Sequence, residues 1–154
     1  MIAITNKNLA AVLNDLVQIN NDRVAGYEKA ANEIREVDPD LESKFHRYAQ
    51  DSQRFAFALS HRVRELGGEP AISTTASGKI YRVWMDVKGV FSGHDRQTVL
   101  ENCEFGEDAA KKAYRMALET DADWDADTRL VILTQQSDLL KAHDEIKRLR
   151  DSHK

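Results

Sequence analysis

The sequence predicts an all-α fold, an antiparallel four-helix bundle with an extra short helix before the third long one. Three observations predict it. Seven glycines and two prolines punctuate 154 residues, too few for a sandwich or barrel that turns every ~8–12 residues. Between the breakers lie four long segments whose apolar residues recur at spacings of three and four, the signature of one helix face. A composition of 42% hydrophobic and 31% charged residues is that of a folded helical chain and not of a disordered one. The length suits a single domain over 1–154 with one core.

The elements follow from the breakers in order. Helix A is expected from about Asn6 to Glu36, capped by Thr5 or Asn6, with the stripe Leu9, Leu13, Leu16, Val24, Tyr27, Ala31, Ile34. Helix B opens at Asp38-Pro39-Asp40, because aspartate can accept from the free N–H groups of the first turn and proline lacks one that would go unpaired there. Its stripe is Leu41, Phe45, Tyr48, Phe55, Leu59, Val63, Leu66, and it stops at Gly67-Gly68-Glu69-Pro70. A short helix is expected between about Gly78 and Phe91. Helix C runs from Asp95 to about Glu119 with Leu100, Cys103, Ala110, Tyr114 and Ala117 on one face. Helix D runs from about Asp125 to Arg150, with the stripe Ile132, Leu139, Ile146, Leu149 and the cations Lys141, Lys147, Arg148 and Arg150 towards its end.

Polar residues interrupt each stripe near mid-length. Asn20 stands between Leu16 and Tyr27, and Glu107 between Cys103 and Tyr114; each is two helical turns ahead of its tyrosine, so each pair shares a face. The stretches Asn20 to Tyr27 and Glu107 to Tyr114 align without a gap, which suggests two related hairpins, A with B and C with D. Helix B carries Ser52 with Gln53 beside it, and helix D carries Gln136 and His143. Buried polar groups need partners, so Asn20, Tyr27, Ser52, Gln53, Glu107, Tyr114, Gln136 and His143 are read as an interior polar layer. They either satisfy one another and set helix register, which is the favoured reading, or hold a metal at an unusual site. Glu107 is expected to be hydrogen-bonded to Tyr27 or His143, or to be partly protonated.

This pattern resembles the ferritin-like superfamily of four-helix bundles, related to rubrerythrin-type bundles, and more closely a bacterial ferritin-like domain family of unknown function. The matching runs are Ile19 to Ala30, Leu66-Gly67-Gly68-Glu69-Pro70, Trp84-Met85-Asp86-Val87-Lys88, Gly106-Glu107-Asp108-Ala109-Ala110 and Ala142-His143-Asp144. In the superfamily, helices A and C each give a carboxylate, often with a tyrosine seven residues on, and helices B and D each give Glu-x-x-His. Residue by residue the resemblance carries Glu107 with Tyr114 and keeps Tyr27, but Asn20 stands where a carboxylate is wanted, helix B has no Glu-x-x-His, and Gln136 and His143 are too far apart. One carboxylate and one histidine do not make a di-iron ligand set, so no cofactor is expected. Were iron or another divalent metal held, Glu107, His143, Glu28 and Glu104 would be its ligands. The leading reading is a non-enzymatic bundle that works through assembly or partner binding, with a stress or storage association that the resemblance alone implies. The alternative is an atypical metal-binding protein or metal-dependent oxidase.

The other reactive side chains read as structural. Glu28, beside Lys29 and Arg35, and Glu104, beside Lys111 and Arg115, suit flank salt bridges. Cys103 suits a small buried hydrophobe, and as the one cysteine it excludes an internal disulfide. His46, His61 and His94 have no partner at ligand spacing. A net charge of −4 argues against nucleic acid and anionic membranes. The absence of a long apolar run or signal-peptide core argues for the cytoplasm. Tyr81, Trp84, Val87 and Phe91 give the short helix more apolar surface than a connector needs, which predicts a homo-oligomer with its contact there.

Overall fold

The computed structural model describes residues 4–71, 96–120 and 125–152. These form four long helices, α1 (Ile4–Ile34), α2 (Pro39–Glu65), α3 (Arg96–Glu119) and α4 (Ala126–Asp151), with no strand among the described residues. The helix bounds lie within a few residues of those the breakers predict; α1 starts at Ile4, ahead of the expected cap. The expected short helix, with Tyr81, Trp84, Val87 and Phe91, lies outside the described residues, as does His94.

Side-chain contacts establish the arrangement. Arg23 meets Ser52 and Glu107, Tyr114 meets Gln135, Tyr48 meets Glu145 and Arg62 meets Thr128. Arg23 joins the middles of three helices, and the direction is read from the other pairs. Asn14 of early α1 meets Glu69 just beyond α2, and Asn20 pairs with Tyr114 where the later Arg23 pairs with the earlier Glu107. Late Tyr114 and Arg62 face early Gln135 and Thr128. The helices α1–α2, α1–α3, α3–α4 and α2–α4 are therefore antiparallel neighbours around a square, as the hairpin reading expects. The diagonal partners α2 and α3 run parallel, so α3 begins beside the start of α2: Arg96 Nε donates to Asp38 Oδ2 at 3.0 Å. A bundle with one crossover of this kind is a ferritin-like topology.

The local stops behave as the sequence chemistry requires. Asp38, in extended conformation, accepts from the Leu41 amide at 3.1 Å and Pro39 opens α2. At the far end Gly67 takes φ 86°, while the Gly68 and Gly67 amides donate to the Val63 and Arg64 carbonyls, each at 2.9 Å. That left-handed cap closes the helix and needs glycine. A Cβ on Gly68 would stand 3.2 Å from Ala10 Cβ, so the turn packs tightly on α1. Asn14 fastens the chain beyond it, donating to the Glu69 carbonyl at 2.9 Å and accepting from the Ala71 amide at 2.8 Å.

The core is the line of stripes. Leu13, Leu16, Tyr27, Ile34, Phe45, Leu59, Leu100, Ile132 and Ile146 are all essentially inaccessible. Burying each of the larger aliphatic or aromatic side chains is worth about 1.5–3 kcal/mol, and this apolar body surrounds a polar centre.

Candidate functional site

Arg23 organises the middle of the bundle. It projects from α1, is 1% exposed, and grips Glu107 of α3, also 1% exposed, with two parallel bonds: Nε to Oε1 at 2.6 Å and Nη2 to Oε2 at 2.8 Å. Its Nη1 donates to Ser52 Oγ of α2. The guanidinium carbon lies 5.3 Å from the centre of the Tyr27 ring, and Tyr27 packs in turn on Phe45 and Tyr48 at 5.7 and 5.2 Å. The planar fork matches a carboxylate in a way that an ammonium cannot. Burial pulls the Arg23 guanidinium towards a lower pKa, but the Glu107 charge outweighs it and holds the guanidinium more firmly protonated than usual. The Tyr27 phenol is pushed far up, first by burial and then by the Glu107 charge.

A second chain of hydrogen bonds runs one layer away and joins all four helices. Asn20 Nδ2 donates to the Leu16 carbonyl at 2.9 Å and to Tyr114 Oη at 2.8 Å. Tyr114 donates to Gln135 Oε1 at 2.7 Å, and Gln135 Nε2 reaches the Phe55 carbonyl at 3.4 Å. Burial raises the Tyr114 phenol well above its ordinary value, so it stays a neutral donor.

The structure brings together Asn20, Tyr27, Ser52, Glu107 and Tyr114, and departs from the sequence reading at the other positions. Gln53 is exposed, because the buried line Ser52, Ala56, Leu59, Val63 leaves it about a hundred degrees round the helix. Gln136 is only half-buried, and Gln135 takes its interior place. His143 is 8% exposed and pairs with other carboxylates than Glu107: its Nε2 lies 2.6 Å from Asp108 Oδ1 and its Nδ1 3.2 Å from Asp144 Oδ1. Glu107 is held by Arg23, not by His143. Glu28 is half-exposed and lies 3.5 Å from His46, and Glu104 meets Arg150 at 2.5 Å, so their partners differ from the basic residues expected. Cys103 is buried. The sequence reading missed Arg23 and Gln135, and also Asp22, which is fully buried.

The family profile of a domain of unknown function, DUF2383, matches residues 8–120. The chain belongs to the DUF2383 family. No curated protein matches the sequence. Among solved structures, this DUF2383 chain is similar to a mutant of Dps1 from Mycobacterium smegmatis, with TM-score 0.81, 15% identity and coverage of 97% of this chain and 99% of that one. It is also similar to one of the ferritin-like, diiron-carboxylate proteins from Bacillus anthracis strain Ames, with TM-score 0.70, 21% identity and coverage of 96% and 99%. At these identities the likeness shows the fold, a ferritin-like bundle.

The description of the second neighbour raises the question of a di-iron centre, and the DUF2383 chain's donor set does not fit one. A di-iron site of this fold takes about four carboxylates and two histidines. Here both Glu107 oxygens are bound by Arg23, and both His143 nitrogens face carboxylates of the bundle flank. Ser52 already accepts from Arg23, and Asn20 Oδ1, a buried oxygen without a hydrogen bond, is neutral and a weak ligand. No group of three or more acidic, histidine or cysteine side chains suited to a metal occurs among the described residues.

Proposed function

We propose that this chain is a single ferritin-like domain over residues 1–154 that acts through its outer surface, by assembling with copies of itself or docking a partner, with no reaction at its centre. One observation carries this reading: the carboxylate that a ferritin-like centre would offer a metal, Glu107, has both oxygens bound by Arg23. The large apolar side chains left outside, Phe57, Leu130, Phe105 and Met116 among them, are consistent with contacts beyond the bundle. A stress or storage role in the cytoplasm rests on the resemblance to bacterial ferritin-like proteins; among the described residues no helix is long and apolar enough to cross a membrane. The expected interface at Tyr81, Trp84, Val87 and Phe91 stays part of the proposal.

The test is made on full-length protein purified without an affinity tag from iron-supplemented cells. Elemental analysis should find well under one metal per chain. Sedimentation at micromolar concentration should give a homo-oligomer that the pair Trp84→Ala, Phe91→Ala weakens. Two irons per chain with oxo-bridge absorption would instead establish the metal-dependent alternative.

A further inference from the structure

We infer that Arg23 is the resident cation of this bundle: its guanidinium takes the part that a metal ion plays in a di-iron ferritin-like centre, neutralising Glu107 and excluding a divalent ion from beside it. This rests on reading the interior as unreactive and adds the physical cause. Four elements of the geometry support it. The guanidinium and the carboxylate are each 1% exposed, so neither can rely on water for its charge. The pairing is bidentate, so each Glu107 oxygen already accepts a charged N–H and an ion would have to share it with the guanidinium. Ser52 takes a third N–H and the Tyr27 ring lies near the guanidinium, so the cation is held from α1, α2 and α3 at once. Like-charge repulsion does the rest: a divalent ion placed on Glu107 would sit within a few ångströms of a fixed positive charge in a dry interior.

The arrangement differs from a surface ion pair, where either partner can be lost to solvent at little cost. Here the two charges are obligatory to one another. Removing either leaves a buried uncompensated charge, whereas removing both leaves an apolar gap that methionine and leucine fill.

Two measurements test the inference on the full chain. The first is a thermal double-mutant cycle with Arg23→Met and Glu107→Leu. Each single variant should melt on the order of 10 °C below wild type, and the double should recover most of that loss. A double variant that falls by the sum of the singles, or that fails to fold where a single fails, would overturn the pairing. The second is titration of Mn(II) into metal-free protein, followed by electron paramagnetic resonance and by melting temperature. Wild type should show no binding that Glu107→Gln removes. Arg23→Glu, which replaces the cation by a second carboxylate, should bind Mn(II) at least tenfold tighter than wild type and melt higher with the ion than without it. A folded Arg23→Glu that gains no Mn(II) would show that the guanidinium is not what keeps the ion out. Glu107-dependent Mn(II) binding in wild type would sink the proposed function as well, so the two failures are distinguishable.

Discussion

The centre of the bundle and its α2–α4 flank use the same charges in opposite ways. At the centre, Arg23 and Glu107 are sealed from water and held in one geometry. On the flank, Glu145 of α4 accepts from Tyr48 and lies 3.1 Å from Lys44, with its own side chain about a third exposed. Nearby, Asp108 reaches His143 across α3–α4 while 57% exposed. Water reaches the carboxylates on the flank, and neither partner at the centre. A charge therefore specifies the packing of this bundle only where solvent is absent, and elsewhere tunes it.

Substitutions sharpen that contrast. The largest effect outside the double-mutant cycle is expected for Arg23→Lys. It keeps the charge but cannot fork onto both Glu107 oxygens and Ser52, and should cost about 2–3 kcal/mol in denaturant melts. Tyr114→Phe removes one hydroxyl from the chain joining Asn20 to Gln135 and leaves two buried amides short of a partner. It should cost about 1–3 kcal/mol, and the lowered protection should be read by amide exchange across α1, α3 and α4. A result near zero would mean that water enters this layer.

Asp38→Ala loses the α2 cap and its contact with Arg96, for about 1 kcal/mol. Its pH dependence has a definite sign. Burial pulls the Asp38 carboxyl up, but the Leu41 amide and Arg96 prevail and hold it below 3.8. Glu145 is likewise held below 4.5, with burial opposed by Tyr48 and Lys44. Both groups thus stabilise the fold fully above those ordinary values and lose that contribution as the pH falls through their lowered ones. The stability difference between wild type and Asp38→Ala should be constant near neutrality and shrink below about pH 4. The smallest change is expected for Asp108→Asn, within about 0.5–1 kcal/mol and fading with salt. A cost as large as that at the centre would place the His143 pair among the buried ones.

Much of this was legible in the sequence. Asp38-Pro39 and Gly67-Gly68 mark the helix ends because their chemistry is local. Asn20, Tyr27, Glu107 and Tyr114 stand out because polar groups on apolar stripes are conspicuous. The misses share one cause. From Asn20 to Tyr27, both Arg23 and Val24 satisfy the spacing of three and four, and from Ile132 to Leu139 both Gln135 and Gln136 do. Apolar preference selects Val24, which is half-buried, whereas the carboxylate across the bundle selects Arg23. Periodicity defines a face only to within one side chain, and the partner on another helix decides the rest. Glu107 was the available signal: a carboxylate on a core stripe requires a cation, and Arg23 is a cation at stripe spacing. His143 was misplaced for the same reason, its partner Asp108 being invisible until α3 and α4 are set side by side.

The distance along the chain between the central partners, 84 residues, bears on the order of folding. The hairpin α1–α2 closes across a short turn and brings its own apolar stripes together, so it is the piece expected to form early. Yet it contains only the cation. Until α3 arrives, closing that hairpin dry would strand Arg23 without its counter-charge, so an early hairpin stays hydrated at mid-length and cannot settle as a finished half. The second half then supplies the missing anion as well as more apolar surface. A polypeptide released before Glu107 is made should remain loosely packed, and pulse-labelled amide exchange should show the middle of α1 gaining protection together with α3 and not with α2.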